Sequence, residues 1–238
     1  MTLNYNMYLS NLTWEEVSHY LKEKDSLIFP IGISEQHSKH LPLNTDTLVA
    51  EYIAVFLSEQ TGILIAPTLH YGVGLPCDRF YPGSSSISYE DLNHTISSLI
   101  NWWKLQGFDK FFLISAHGDI FHLKALKEVK HDNVFVLEVS NINFDGILEK
   151  QKTAKHACEA ETSVMLYLFP EKVRIDKIED FETPYEEFKA YLHHLKDDPV
   201  PGSPGCQGYP SYATKQKGEK IVALMKENAL AWIKKYFQ

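Results

Sequence analysis

Four short, almost wholly apolar runs, separated by longer stretches of helical periodicity, limit this chain more than any other feature. They are residues 26–33 (SLIFPIGI), 63–66 (ILIA), 110–115 (KFFLIS) and 133–139 (NVFVLEV). A strand that is apolar at successive positions is buried on both faces. That environment belongs to a parallel sheet with helices above and below it. Pro30 weakens the first run as a strand, because it cannot donate to a ladder.

The intervening stretches read as helices. One spans 13–24, opened by a capping box of Thr13 and Glu16. The next carries Leu48, Val49, Ile53, Phe56 and Leu57, with Gly62 as its C-terminal stop. Others are expected at 89–106, 120–129, 155–168, 185–195 and 218–237. Two Pro/Gly-rich loops, 68–88 and 197–212, are long for a compact domain, and such loops are usually functional or disordered. The order is β-α-β-loop-α-β-α-β-α. No linker, repeat or compositional break interrupts it, so one domain over 1–238 is expected.

Composition narrows the function. The 238 residues are 44% hydrophobic and 23% charged, which excludes a disordered chain. A formal charge of −8 with no basic run disfavours nucleic acid and anionic membrane as partners. No apolar stretch has the length of a membrane span or a signal peptide. The three cysteines, Cys77, Cys158 and Cys206, form no CxxC pair, and a reduced, cytoplasmic setting is the simplest expectation.

Ligands of open parallel sheets bind beyond the carboxyl ends of the strands. After the first apolar run come Glu35, His37 and, at a helix start, Asp46; after the third come His117 and Asp119. Glu35 and His37 alternate and project to one side of an extended segment. Carboxylate and imidazole donors of this kind suit Zn²⁺, Mn²⁺ or Fe²⁺. A third cluster holds His156 and Glu159, three apart, which share one face if the helix covers them. Each feature has a plainer explanation: Asp46 as a helix-dipole partner, His117 as a structural histidine, the glutamates as a wet helix face. Their coincidence at strand ends is what favours a metal site.

The segment PIGISEQHSKHLPLNTDT resembles the first motif of the creatininase (creatinine amidohydrolase) family, roughly P-x-G-x-x-E-Q-H-G-x-H-L-P-L-x-T-D. Four further motifs follow in order. APTLHYGVGLPCDRFYPGSSSIS resembles the tyrosine-glycine and F-P-G-T loop, LISAHGDIFHL the L-V-N-G-H-G-G-N strand end, and HACEAETSVMLYLFPEKV the H-A-G-E-x-E-T-S helix. GYPSYATKQKG keeps the spacing of G-D-P-x-x-A-x-x-E-K-G. The resemblance covers nearly the whole chain.

It implies a three-layer α/β/α sandwich with a mainly parallel central sheet and a binuclear metal centre. By position, Glu35, Asp46 and His117 hold one ion, and His37 with the shared Asp46 holds the other. The remaining ligand is Glu159 or Asp119, and the motif context favours Glu159. His156 matches the histidine that assists proton transfer. Tyr71, Asp78 and Asp119 are the expected substrate contacts, with loops 68–86 and 197–212 bordering the pocket. The implied cofactors are two divalent ions, zinc with zinc, manganese or iron. A hydroxide bridging them would cleave a C–N bond of a cyclic amide or formamide. Family analogy also implies a homo-oligomer, a hexamer, acting on a small molecule.

This chain departs from the family pattern around the substrate. Asp119 replaces a glycine of the strand-end motif and Ile120 its asparagine; Cys158 replaces the H-A-G-E glycine. Asp78 stands for a histidine, Ser84 for a threonine, Tyr209 for an aspartate and Gln216 for a glutamate. The pattern points to a hydrolase with an altered substrate. Two other readings stay open: hydrolysis of a ring C–C or ester bond on the same site, and a non-catalytic binding protein that keeps the fold.

Overall fold

The computed structural model describes residues 7–236. At its centre lie β1 (Ser26–Ile31), β2 (Leu64–Ile65), β3 (Lys110–Ser115) and β4 (Val134–Glu138). All neighbours pair in parallel, in the order β2-β1-β3-β4. Among the described residues the α-helices are α1 (Trp14–Tyr20), α2 (Thr45–Thr61), α3 (Tyr89–Leu105), α4 (Ile120–Lys127), α5 (Glu159–Leu168), α6 (Tyr185–Leu192) and α7 (Lys215–Lys234), with short 3-10 turns between some of them.

Successive strand side chains point to opposite faces, so each apolar run feeds two cores. Leu27, Phe29 and Ile31 of β1, with Phe111 and Leu113 of β3, pack on Ile96 and Ile100 of α3 and Leu126 of α4. Ile28, Phe112 and Ile114 pack the other way, on Ile53 and Leu57 of α2, Val164 of α5 and Ile221 of α7. The result is the expected three-layer α/β/α arrangement. Among the described residues no helix is long and apolar enough to cross a membrane.

Pro30 is accommodated for a simple reason. It pairs in register with Ile114 of β3, but β2 reaches only Leu27 and Ile28. The carbonyl of Pro30 accepts from Leu69 N at 3.1 Å, on the side where β2 has ended. The missing N–H faces that same side and forfeits no ladder bond. Gly62 closes α2 in the left-handed region, at φ 68°, as a glycine can without strain.

Several helix ends differ from expectation: α1 stops at Tyr20, short of 24, and α6 at Leu192, short of 195. The last helix begins at Lys215, earlier than 218, and the expected end at Phe237 lies outside the described residues. The helix expected from 155 begins only at Glu159, because Ala157 adopts φ 46° and breaks the helical path.

Gly218 sits where α7 crosses α5. A Cβ there would lie 1.9 Å from the Ser163 carbonyl oxygen and 2.8 Å from Tyr167 Cβ. Backbone cannot yield as a flexible side chain does, so the helices must part. Gly218→Ala should cost at least about 2 kcal/mol in denaturant unfolding. An unchanged midpoint would show that the crossing has slack.

Candidate active site

The turn after β1 carries Glu35 and His37 past the end of the sheet. The turn after β3 does the same for His117, and the first turn of α2 lowers Asp46 between them. All four side chains are buried. His117 Nδ1 lies 3.0 Å from Glu35 Oε2 and 3.2 Å from Asp46 Oδ2. His37 Nε2 lies 3.3 Å from Asp46 Oδ1 and 4.0 Å from Glu161 Oε2. Yet Glu35 Oε2, His37 Nε2 and Asp46 Oδ2 make no hydrogen bond.

The explanation is direction. The His37 Nδ1–H donates to the Glu35 carbonyl at 3.1 Å, and the His117 Nε2–H to the Val73 carbonyl at 2.8 Å. The His156 Nε2–H donates to the Gln36 carbonyl at 2.7 Å. The Gln36 amide nitrogen also approaches that ring nitrogen, at 2.9 Å, but has better acceptors in Asp78 Oδ1 and Gly205 O. We therefore assign the proton to His156 Nε2. A ring that carries no second proton then turns a lone pair toward the carboxylates. Anchoring the far nitrogen on a carbonyl is what metal-binding histidines ordinarily do.

Three overlapping groups have donor atoms within 4.8 Å of one another: Glu35 with Asp46 and His117; His37 with Asp46 and Glu161; and Glu35 with His37 and His156. Asp46 belongs to the first two and sits at their junction.

Among themselves these groups compete for protons. Burial opposes a charged His37, but the Asp46 carboxylate outweighs it and lifts the imidazole to about 10. His117 is raised well above its ordinary value, burial again being overcome, here mainly by Glu35. Burial raises Glu35 to about 8 and Glu161 to about 7. Asp46 is held well below its ordinary value: the two histidines overcome its burial. His156 differs, since burial, with help from His37, lowers it to about 3 and leaves the ring neutral. A divalent cation would satisfy the carboxylates without a proton on either ligand ring.

Several residues lie elsewhere than the sequence suggested. Glu159 is fully buried but turned away from the cluster. Its carboxylate accepts from Glu149 N at 3.0 Å and pairs with Lys217 Nζ at 2.6 Å. Glu161 takes the expected place instead, because residues two apart on a helix face different ways. The shared helical face expected for His156 and Glu159 is absent, since His156 precedes α5. Asp119 caps α4, accepting from Phe121 N at 2.9 Å and His122 N at 2.8 Å, and its other oxygen holds His194 Nε2 at 2.7 Å. It lines the cavity beside the cluster without joining the donor groups. Tyr71 is 55% exposed and lines neither large cavity.

Asp78 is buried and borders a cavity of about 430 Å³ that also reaches Glu35. Both long loops come to the site. Arg79 pairs with Asp197 at 2.9 Å, and Gln207 N donates to the His156 carbonyl at 2.7 Å. Sequence reasoning passed over Gln36, whose side chain joins Asp78 to Gly205, and the role of Glu161. The glutamine lay in plain view between Glu35 and His37, but no periodicity marks a hub of loop contacts.

The sequence pattern of the creatininase family, described as creatinine amidohydrolase, matches residues 10–233. The creatinine amidohydrolase of Pseudomonas putida is 24% identical, over 91% of this chain and 92% of that protein. A mycofactocin precursor peptide peptidase of Mycolicibacterium smegmatis is 28% identical, over 88% and 85%. The solved structure of a manganese creatininase superposes with a TM-score of 0.80 at 23% identity, covering 97% of this chain and 98% of that one. With the family pattern running from residue 10 to residue 233, this chain belongs to the creatininase family of amidohydrolases.

Proposed function

We propose that the chain is a metal-dependent hydrolase of a C–N bond in a cyclic amide or formamide. Glu35, Asp46 and His117 would hold one divalent ion, and His37, Asp46 and Glu161 a second. The observation that carries the reading is the set of buried, unpartnered donor atoms of Glu35, His37 and Asp46, turned toward one another by anchored imidazoles. Oxygen and nitrogen donors without thiolate suit zinc, manganese or iron. Bound there, such ions supply Lewis acidity, polarising a carbonyl and bringing the pKa of water toward neutrality. The relatives support the bond type, since an amidohydrolase and a peptidase both hydrolyse C–N bonds.

The chain's own residues divide the remaining work. Asp46 fixes the spacing of the two donor groups. His156, neutral and anchored through Nε2, keeps Nδ1 free, 4.0 Å from Glu35 Oε1. That atom can take a proton as bond-making begins and return it to the departing nitrogen. Gln36 and Gln207, on either side, hold the His156 backbone and ring in place. Asp78, beside Glu35, is positioned to accept a hydrogen bond from an N–H of the substrate.

Metal analysis and hydrolysis of a panel of lactams, imides and formamides test this directly. His156→Ala should keep its metal and its melting temperature, while turnover falls roughly 10²–10⁴-fold. Normal turnover with a lowered melting temperature would remove His156 from the chemistry.

A further inference from the structure

Helix α6 is amphipathic, but its apolar stripe belongs to neither core. Tyr185, Phe188 and Leu192 follow one another at helical spacing, so they share a face. None of them packs into the two hydrophobic cores that cover the sheet. Instead all three line a cavity of about 420 Å³ that Glu35, Asp46 and Glu161 also line, Tyr185 itself being 66% exposed. Phe144, from the loop after β4, lines it too. The lining of this cavity thus combines carboxylates and imidazoles of the cluster with apolar side chains of α6 and Phe144.

The helix is held over the cavity by its C-terminal end. His194, at φ 55°, turns back and meets the buried Asp119 at 2.7 Å, and its ring lies 4.4 Å from that of Phe121. Asp119 is also the cap of α4, directly after the His117 strand end. The apolar wall is therefore registered to the same turn that positions a proposed ligand. An exposed helix with nothing to cover would not need this tie.

We propose that the substrate carries a bulky apolar group, aromatic or branched aliphatic, next to the scissile C–N bond, and that Phe188 and Leu192 select it. This rests on the metal-hydrolase reading above. The volume falls among sites of ~300–1,000 Å³ that enclose drug-sized ligands, and their walls are mostly apolar with a few convergent polar groups. A small polar amide would reach the cluster and leave the α6 wall wet. An apolar group of the right size displaces that water, which is the source of selectivity in such pockets.

Hydroxamates test this without turnover, because they chelate divalent ions and accept any side group. Calorimetry would compare 3-phenylpropionohydroxamate with acetohydroxamate on the manganese-loaded protein. The aromatic probe should bind roughly 10- to 100-fold tighter. In the Phe188→Ala/Leu192→Ala protein that preference should fall to within about threefold, at constant metal content. Leu192→Trp, which fills the cavity without truncating anything, should weaken the aromatic probe selectively. Equal affinities in the unaltered protein overturn the proposal, as does a preference that survives the double substitution. So does a metal-loaded protein that binds neither probe. If the preference is present and α6-dependent but no amide in a matched panel is hydrolysed, the apolar subsite stands and the hydrolase reading falls. Failure to take up metal removes the reading of the site, and this proposal with it.

Discussion

Asp46→Ala should leave purification with neither ion bound and with turnover down at least ~10³-fold, since Lewis-acid assistance contributes several kcal/mol to such reactions. The expectation follows from its place. Asp46 Oδ1 faces His37 and Oδ2 faces His117, so one carboxylate serves both donor groups. Among the described residues no other belongs to both of these groups. His37→Ala removes a donor from only one of the two proposed ion sites and should lose mainly one ion. Metal analysis of the two variants side by side distinguishes a bridge from an ordinary ligand. An Asp46→Ala protein that still holds about two ions per chain would end the bridging assignment. Asp46→Asn guards against misfolding, because it keeps the size of the buried side chain and removes its charge.

Glu161→Gln and Glu159→Gln should fail in opposite ways, although the residues are two apart. Glu161 Oε2 accepts from Ala157 N at 2.5 Å and lies within reach of His37. Its amide variant should keep the fold, bind one ion more weakly, and recover part of its activity in excess metal. Glu159, itself fully buried, pairs with Lys217, whose ammonium also meets Glu149 at 2.6 Å and the Tyr212 carbonyl at 2.7 Å. Glu159→Gln removes the fully buried half of this pair and weakens its charged hydrogen bonds, while Lys217 keeps Glu149, so the cost is about 1–2 kcal/mol. Glu159→Gln should therefore keep its metal and lose stability in denaturant unfolding. Metal loss from the Glu159 variant with unchanged stability would reverse the two roles.

These two glutamates show why part of the site could not be read from the chain alone. The motif context of the family resemblance favoured Glu159 as the remaining ligand, and its spacing of three from His156 suggested that the two share one face. The shared face needed the helix to have begun by His156. Ala157, in the left-handed region, delays it to Glu159. The delay swings His156 in from the loop and turns the first two glutamates of α5 to different sides. The deciding partner of Glu159 is Lys217, far along the chain at the start of α7, and local patterning carries no information about it. Tyr71 failed similarly: its loop reaches the site, but its side chain points to solvent.

What the sequence determined by itself was everything governed by local spacing. Continuous apolar runs made strands buried on both faces, and interleaved helical periods placed layers above and below them. The chain entering and leaving those strands then had to bring Glu35, His37, Asp46 and His117 to one end of the sheet. What only the tertiary structure decided was orientation among residues distant in sequence. That covers the choice of Glu161 over Glu159, the Gln36 contacts to Asp78 and Gly205, the use of Asp119 as a cap and a tie for His194, and the apolar wall of α6. Periodicity tells which face of an element is apolar, because that follows from backbone geometry. It cannot tell what the face meets, because that depends on how the elements pack together.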